Sequence, residues 1–94
     1  MIRFYELKRA LFFPQIAGFM RSKNDVPYLL DLLMHERVQS RQTRERAVEI
    51  LNAHGYKDTA ARVHADYAAL DKVYEHDIAL CSQFMVDNHI NPIG

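Results

Sequence analysis

The sequence predicts an all-α protein, a small four- to five-helix bundle that ends in one long C-terminal helix. Residues 56–91 contain neither glycine nor proline, and apolar side chains recur along them with helical spacing. Earlier in the chain, shorter amphipathic stretches are separated by prolines and by turn residues. The chain has 94 residues, of which 49% are hydrophobic and 26% charged. We therefore expect one globular α-helical domain over residues 1–94.

Two short helices are expected at the N-terminus. The first runs from about Ile2 to Phe12, where Leu7 and Leu11 share one side, and a strand over residues 2–7 is the alternative. Pro14 disfavours helical geometry at the preceding residue and suits the first position of a second short helix, over residues 14–21.

Two middle helices follow in this prediction. Asn24 or Asp25 is a candidate N-cap for a helix that runs to about Gln39 and carries Leu32 off its main apolar face. The apolar pattern stops at residues 40–42, so a break is expected there. Thr43 then suits the N-cap of a fourth helix ending near residue 54.

The long last helix is predicted to begin after a Gly-Tyr turn. Gly55 suits a left-handed residue just past a helix end, and Asp58 or Thr59 can cap the next helix. Pro92 should end that helix near residue 91. Because the predicted helices differ in length, the long one should overhang the bundle unless another subunit covers it.

The turn itself carries one local resemblance. Residues 50–60 read Ile-Leu-Asn-Ala-His-Gly-Tyr-Lys-Asp-Thr-Ala. Over about a dozen residues this stretch resembles the LisH dimerisation hairpin, which also has a Gly-Tyr turn followed by Thr-Ala. We assign no family from it, because turn chemistry alone produces such hairpins.

Two carboxylates fall inside the apolar stripe of the long helix. Asp66 and Asp77 are eleven residues apart and nearly in line on a helix. A buried unpaired carboxylate is costly, so each should reach solvent or find a partner. Structural pairing with arginines is the main interpretation. A polar element that fixes register at a subunit interface, and general acid/base catalysis, are the alternatives.

The densest positive segment is residues 37–46, which contains Arg37, Arg41, Arg44 and Arg46. These arginines could contact phosphates, with the helix after Thr43 entering a DNA groove. However, twelve basic and twelve acidic residues leave the chain neutral, which is weak support for nucleic-acid binding. A solvated or salt-bridged connector is the favoured interpretation.

Motifs for catalysis, metals or membranes are not found in the sequence. No two of the five histidines are spaced i,i+3 or i,i+4, and the one cysteine, Cys81, excludes an internal disulfide. The chain lacks a membrane-length apolar run and a signal-peptide pattern. We therefore expect a cytoplasmic protein that is not an enzyme, has no cofactor or metal, and binds no membrane.

Aromatic residues crowd the first nineteen positions. The set consists of Phe4, Tyr5, Phe12, Phe13 and Phe19, and one helix face cannot hold all of them. Interfaces favour aromatic residues, Met and Arg. The sequence thus predicts a non-catalytic, homo-oligomeric interaction module, such as a regulator, inhibitor or accessory factor, that docks on a protein partner. These aromatics, with Asp66 and Asp77, are the predicted contacts. Nucleic-acid binding through the arginines is the alternative.

Overall fold

The computed structural model describes residues 1–92 and confirms the all-α prediction, since no strand occurs among them. Two long helices dominate. The elements in chain order are α1 (Phe4–Ala10), α2 (Pro14–Ala17), a 3₁₀ turn (Lys23–Asp25), α3 (Val26–Ala53) and α4 (Lys57–Asp87).

The predicted break at residues 40–42 is wrong, because α3 continues through it for 28 residues. This stretch contains no glycine or proline, and its arginine and glutamine are good helix formers. The apolar pattern weakens there because the side chains form ion pairs or face solvent, not because the helix ends. Thr43 therefore lies within a helix and caps nothing.

Helices α3 and α4 form an antiparallel hairpin joined at Gly55. As predicted, Gly55 follows the helix end with a left-handed φ of 82°. The amide of Tyr56 donates to the Leu51 carbonyl at 2.9 Å, and that of Gly55 donates to the Asn52 carbonyl at 3.1 Å. These two bonds form a Schellman motif, which satisfies the last carbonyls of α3.

Both ends of α4 differ from the prediction. The residue before its first turn is Tyr56, so neither Asp58 nor Thr59 acts as the N-cap. The helix stops at residue 87 because His89 takes a left-handed φ of 54°. The amide of Ile90 donates to the Met85 carbonyl at 2.9 Å, which makes a second Schellman motif. Residues other than glycine seldom take a positive φ, so this end of α4 was not expected from the sequence.

The N-terminal segment, which we define as residues 1–25, packs on the open end of the hairpin. There it encloses the core between the start of α3 and the end of α4. Leu7, Leu33 and Phe84 are among the largest fully buried side chains. The complete core contains Leu7, Leu11, Ala17, Met20, Val26, Leu29, Leu33, Cys81, Phe84 and Met85.

The helices of the N-terminal segment are shorter than predicted, and the strand alternative is wrong. Tertiary contacts set the limits of α1: the Ile2 amide donates to Asp87 at 3.4 Å, and the Phe12 amide donates to Asp77 at 2.9 Å. Helix α2 ends at Gly18 rather than continuing to Arg21.

Half of the hairpin lies beyond the N-terminal segment. The described molecule measures 50 × 27 × 20 Å, and its core lies at one end. Near the Gly55 turn the two helices pack only on each other, and Ala60 is the one fully buried residue between positions 40 and 76. The part of α4 that was predicted to overhang the bundle thus packs against α3 of the same chain.

Candidate functional site

Asp77 is the only buried charged residue among residues 1–92, with an exposed fraction of 0%. Its carboxylate accepts hydrogen bonds from the backbone amides of Phe12 at 2.9 Å and Phe13 at 3.3 Å. The Nδ1 atom of His76 lies 2.9 Å from the same carboxylate. These donors satisfy the buried oxygens and fix the turn between α1 and α2 against α4.

The predicted arginine partners of Asp77 are therefore wrong. Backbone amides take their place because residues 12 and 13 leave helical geometry before Pro14, which frees their N–H groups. The Phe12 ring packs edge-on against the His76 ring, with 4.6 Å between centroids. Enclosed in this way, Asp77 offers no surface to a partner or a substrate.

Asp66 lies on the same side of α4, but it is exposed to solvent. Eleven residues of helix place it about 16 Å from Asp77 toward the Gly55 turn. Contacts from residues 12 and 13 reach α4 at Tyr74 and His76. The N-terminal segment extends no farther along this face. The Asp66 carboxylate is therefore exposed to water, whereas the Asp77 carboxylate binds backbone amides. The apolar stripe that surrounds both residues gave no sign of this difference.

Two of the four arginines form a compact ion-pair cluster, which we define as Arg37, Arg41, Asp71 and Glu75. Arg37 and Arg41 each donate two hydrogen bonds to the Asp71 carboxylate, at 2.9–3.1 Å. Arg37 also lies 3.7 Å from Glu75. The hydrogen bonds from Arg37, then those from Arg41, hold the pKa of Asp71 well below its usual range. The bonds that Arg37 donates to Asp71 also raise the pKa of the Arg37 guanidinium. This cluster links the middle of α3 to the middle of α4.

The other two arginines lie farther along α3. Arg44 is half-buried, and Arg46 lines a shallow groove with Glu45 and Glu49. The structure thus brings Arg37 and Arg41 to carboxylates on α4 and places Arg46 beside acidic residues. The four do not converge on one positive surface.

The five N-terminal aromatics separate into inward and outward groups. The Phe4 ring lies 6.2 Å from that of Phe84, and the Phe13 ring lies 5.1 Å from that of Tyr74. Both are half-buried in the fold. Tyr5, Phe12 and Phe19 are exposed, and Phe19 most of all, at 84%.

Phe19 borders an apolar groove between the N-terminal segment and the start of α3. Tyr28 and Leu32, one turn apart on α3, line its other side and are also exposed. The groove has a volume of about 250 Å³. We call it the aromatic groove, and it is lined by Ile16, Phe19, Met20, Asp25, Tyr28, Leu29 and Leu32.

Sequence reasoning missed Tyr28 and Leu32 as surface residues, although the position of Leu32 off the main apolar face was a usable signal. It also missed Asp71, which faces α3 and has no sequence feature pointing to Arg37. The Asp25 carboxylate in the groove wall is occupied, since it accepts from the amides of Arg21 and Ser22. These bonds lower its pKa.

Polar groups throughout the described chain have partners. Within residues 1–92, every buried side-chain nitrogen or oxygen makes a hydrogen bond. Over the same stretch, no three His, Cys, Asp or Glu side chains are grouped so that they can hold one metal ion. None of the helices described is both long enough and apolar enough to cross a membrane. In comparisons with known proteins, the chain matches no protein-family model, no curated protein and no solved structure.

Proposed function

We propose that this protein is a small non-catalytic interaction module, a homo-oligomeric regulator, inhibitor or accessory factor that docks on a protein partner through the aromatic groove. The exposure of Phe19 beside Tyr28 and Leu32 carries the proposal. Large aromatics that border a groove are typical anchors of protein interfaces, where a few such residues supply most of the binding energy.

The expected contribution of these anchors is substantial. Phe19 is 84% exposed and Tyr28 is 68% exposed. Burying one large apolar side chain contributes about 1.5–3 kcal/mol, so the pair offers about 3–6 kcal/mol before ordering costs. Tyr5 and Phe12 are further exposed aromatics that we assign to docking surfaces. The fold leaves Asp66 on the surface and Asp77 inside it, so only Asp66 remains available as a polar contact.

A non-catalytic role fits the state of the charged groups. A general acid or base needs a group that can reach a substrate proton. Asp77 is enclosed by its donors, and Asp71 is held by two guanidinium groups. We further infer that residues 1–94 fold as one four- to five-helix bundle and that the protein is cytoplasmic. The second inference rests on its single, buried cysteine.

Nucleic-acid binding through Arg37, Arg41, Arg44 and Arg46 is the alternative. The spacing of these four arginines within ten residues of the sequence supports this alternative. Against it, the first two arginines already bind Asp71, so a phosphate would have to compete with a bidentate carboxylate. A salt titration separates the two proposals, because phosphate binding weakens steeply with added salt and an apolar interface does not.

Variants of the groove test the proposal. A partner captured from source cells by the tagged protein would be identified, purified and titrated against wild type, Phe19→Ser, Tyr28→Ser and the control Tyr56→Ser. Tyr56 is 62% exposed but lies near the Gly55 turn, about 40 Å along α3 from Tyr28. We expect both groove variants to weaken binding at least about tenfold, with the control unchanged. Equal binding by all four proteins would contradict the proposal.

A further inference from the structure

One broad face of the hairpin has no element of the described chain packed against it. We call it the open face. At the open end of the hairpin, Leu30, Met34 and Met85 line a shallow groove between α3 and α4. Near the Gly55 turn, a second groove between the same helices is lined in part by Val48, Ala60 and Ala61.

Helix geometry places both grooves on the same side of α3. Leu30 and Val48 are eighteen residues apart, as are Met34 and Asn52, which also lines the second groove. Eighteen residues make five whole turns of an α-helix, so the members of each pair point in one direction. Leu32 and Ile50 are likewise eighteen residues apart, and they point instead toward the side that carries the aromatic groove.

The ion-pair cluster lies midway between the two grooves. Arg41 is seven residues after Met34 and seven before Val48, about 10 Å along the helix in each direction. The cluster contains two arginines, an aspartate and a glutamate, so its formal charges cancel. Apart from Asp31 in the first groove and Asn52, Lys57 and His64 in the second, the open face therefore has the order apolar, charged, apolar when followed from either end.

A face with this order is complementary to itself. We propose that a second copy of the chain covers the open face, antiparallel and related by a twofold axis near Arg41. Each copy's Met34 groove then meets the Val48 groove of the other, as an isologous interface requires. About half of the Arg41 side chain and two thirds of the Glu75 side chain are exposed, so the cluster lies on the surface that the second copy would cover while its charges stay paired within each chain.

The size of the face suits a dimer. The described molecule is 50 Å long and 20 Å thick in its narrowest direction, which allows a face of about 1,000 Å² along the hairpin. A stable interface buries about 800 Å² on each partner. Two stacked hairpins also make a four-helix arrangement, which would bury the side chains that α3 and α4 alone leave half-exposed between residues 40 and 70. The aromatic groove lies on another side and stays free for a different protein.

This inference rests on the self-association part of the proposed function, and variants of the open face test it. Sedimentation equilibrium would compare wild type with Met34→Glu and Ala61→Glu, one in each groove. Ile50→Glu is the matched control on α3, because Ile50 is 50% exposed and Met34 is 53% exposed. Helicity at 222 nm would be recorded for each. Since each substitution puts two charges into one interface, we expect dimer dissociation constants at least about a hundredfold higher for the first two variants.

Two results would overturn the proposal. One is a wild-type protein that stays monomeric at about 0.5 mM. The other is a dimer that Ile50→Glu weakens as much as Met34→Glu and Ala61→Glu do. The partner titration with Phe19→Ser reports on the aromatic groove separately, so failure of the dimer and failure of partner docking are distinguishable. A helical, monomeric Met34→Glu protein that still binds the partner would support both.

Discussion

Replacing Asp77 by alanine should remove a large part of the stability of this fold. The substitution leaves the amides of Phe12 and Phe13 without their acceptor and removes the partner of His76. A hydrogen bond to a charged acceptor contributes about 1.5–3 kcal/mol, and an orphaned buried donor costs about 1–3 kcal/mol. Because the three bonds share one carboxylate and do not add independently, we expect a total loss of about 3–5 kcal/mol.

The assay is urea unfolding followed by circular dichroism at 222 nm. With a slope near 1.5 kcal/mol/M, typical of small proteins, the midpoint should fall by about 2–3 M. Asp77→Asn keeps one carbonyl oxygen and should lose about half as much. Near-ultraviolet dichroism should also weaken at neutral pH, since the packing of Phe13 on Tyr74 depends on the same turn.

Asp66→Ala is the control, because Asp66 lies on the same side of α4 but reaches solvent. It should change stability by no more than about 0.5 kcal/mol. Equal losses of stability for the two alanine variants would mean that Asp77 contributes no more than another carboxylate on this face. That result would refute the claim that Asp77 stabilises the fold by binding the amides of residues 12 and 13.

Three further predictions concern other parts of the fold. Asp71→Asn should lower the free energy of unfolding by about 1 kcal/mol near neutral pH. Because the pKa of Asp71 is held below its ordinary value of 3.8, this stabilisation is present above that value and lost as the pH falls beneath it. The urea midpoints of variant and wild type should therefore converge in acid, and a gap that stays constant with pH would contradict the ion pairs. Gly55→Ala should lower the melting temperature by about 5 °C, because a φ of 82° strains any side chain there even though the space is open, whereas Gly18→Ala, at a helical φ of −62°, should not. Burial, and then the charge of Asp77, raise the pKa of Cys81 to about 12. A thiol reagent should therefore label the native protein only as fast as the fold opens around Cys81. Rapid labelling without denaturant would show that this end of the hairpin is open.

The helical class and the turn at Gly55 were predictable because they depend on local signals. Periodicity over residues 56–91 required a helix, and a glycine between two helical patterns marked a left-handed residue. The continuity of α3 was not predictable in the same way. Polar residues without glycine or proline fit both a connector and an exposed helical turn, and only the ion pairs of Arg37 and Arg41 with α4 distinguish them.

The arrangement of the residues at the candidate site could not be predicted from the sequence. The aromatic excess drew attention to the N-terminal segment, yet which rings face outward depends on how α1 and α2 fold over α4. Asp77 was recognised as needing partners, but sequence spacing favours side-chain partners over the free amides that Pro14 creates at residues 12 and 13. Tyr28 became part of the groove only because Phe19 is placed beside it.

The most direct test of the account is the solution mass of the wild-type protein over a range of concentrations and at low and high salt. Arg37 and Arg41 are paired with Asp71 within the chain, and we propose that apolar surfaces bind proteins, including a second copy. We therefore expect a mass that rises from 11.0 kDa for one chain toward twice that value, with little dependence on salt. A mass that stays at 11.0 kDa at every concentration, or a dimer that dissociates when salt is added, would contradict it.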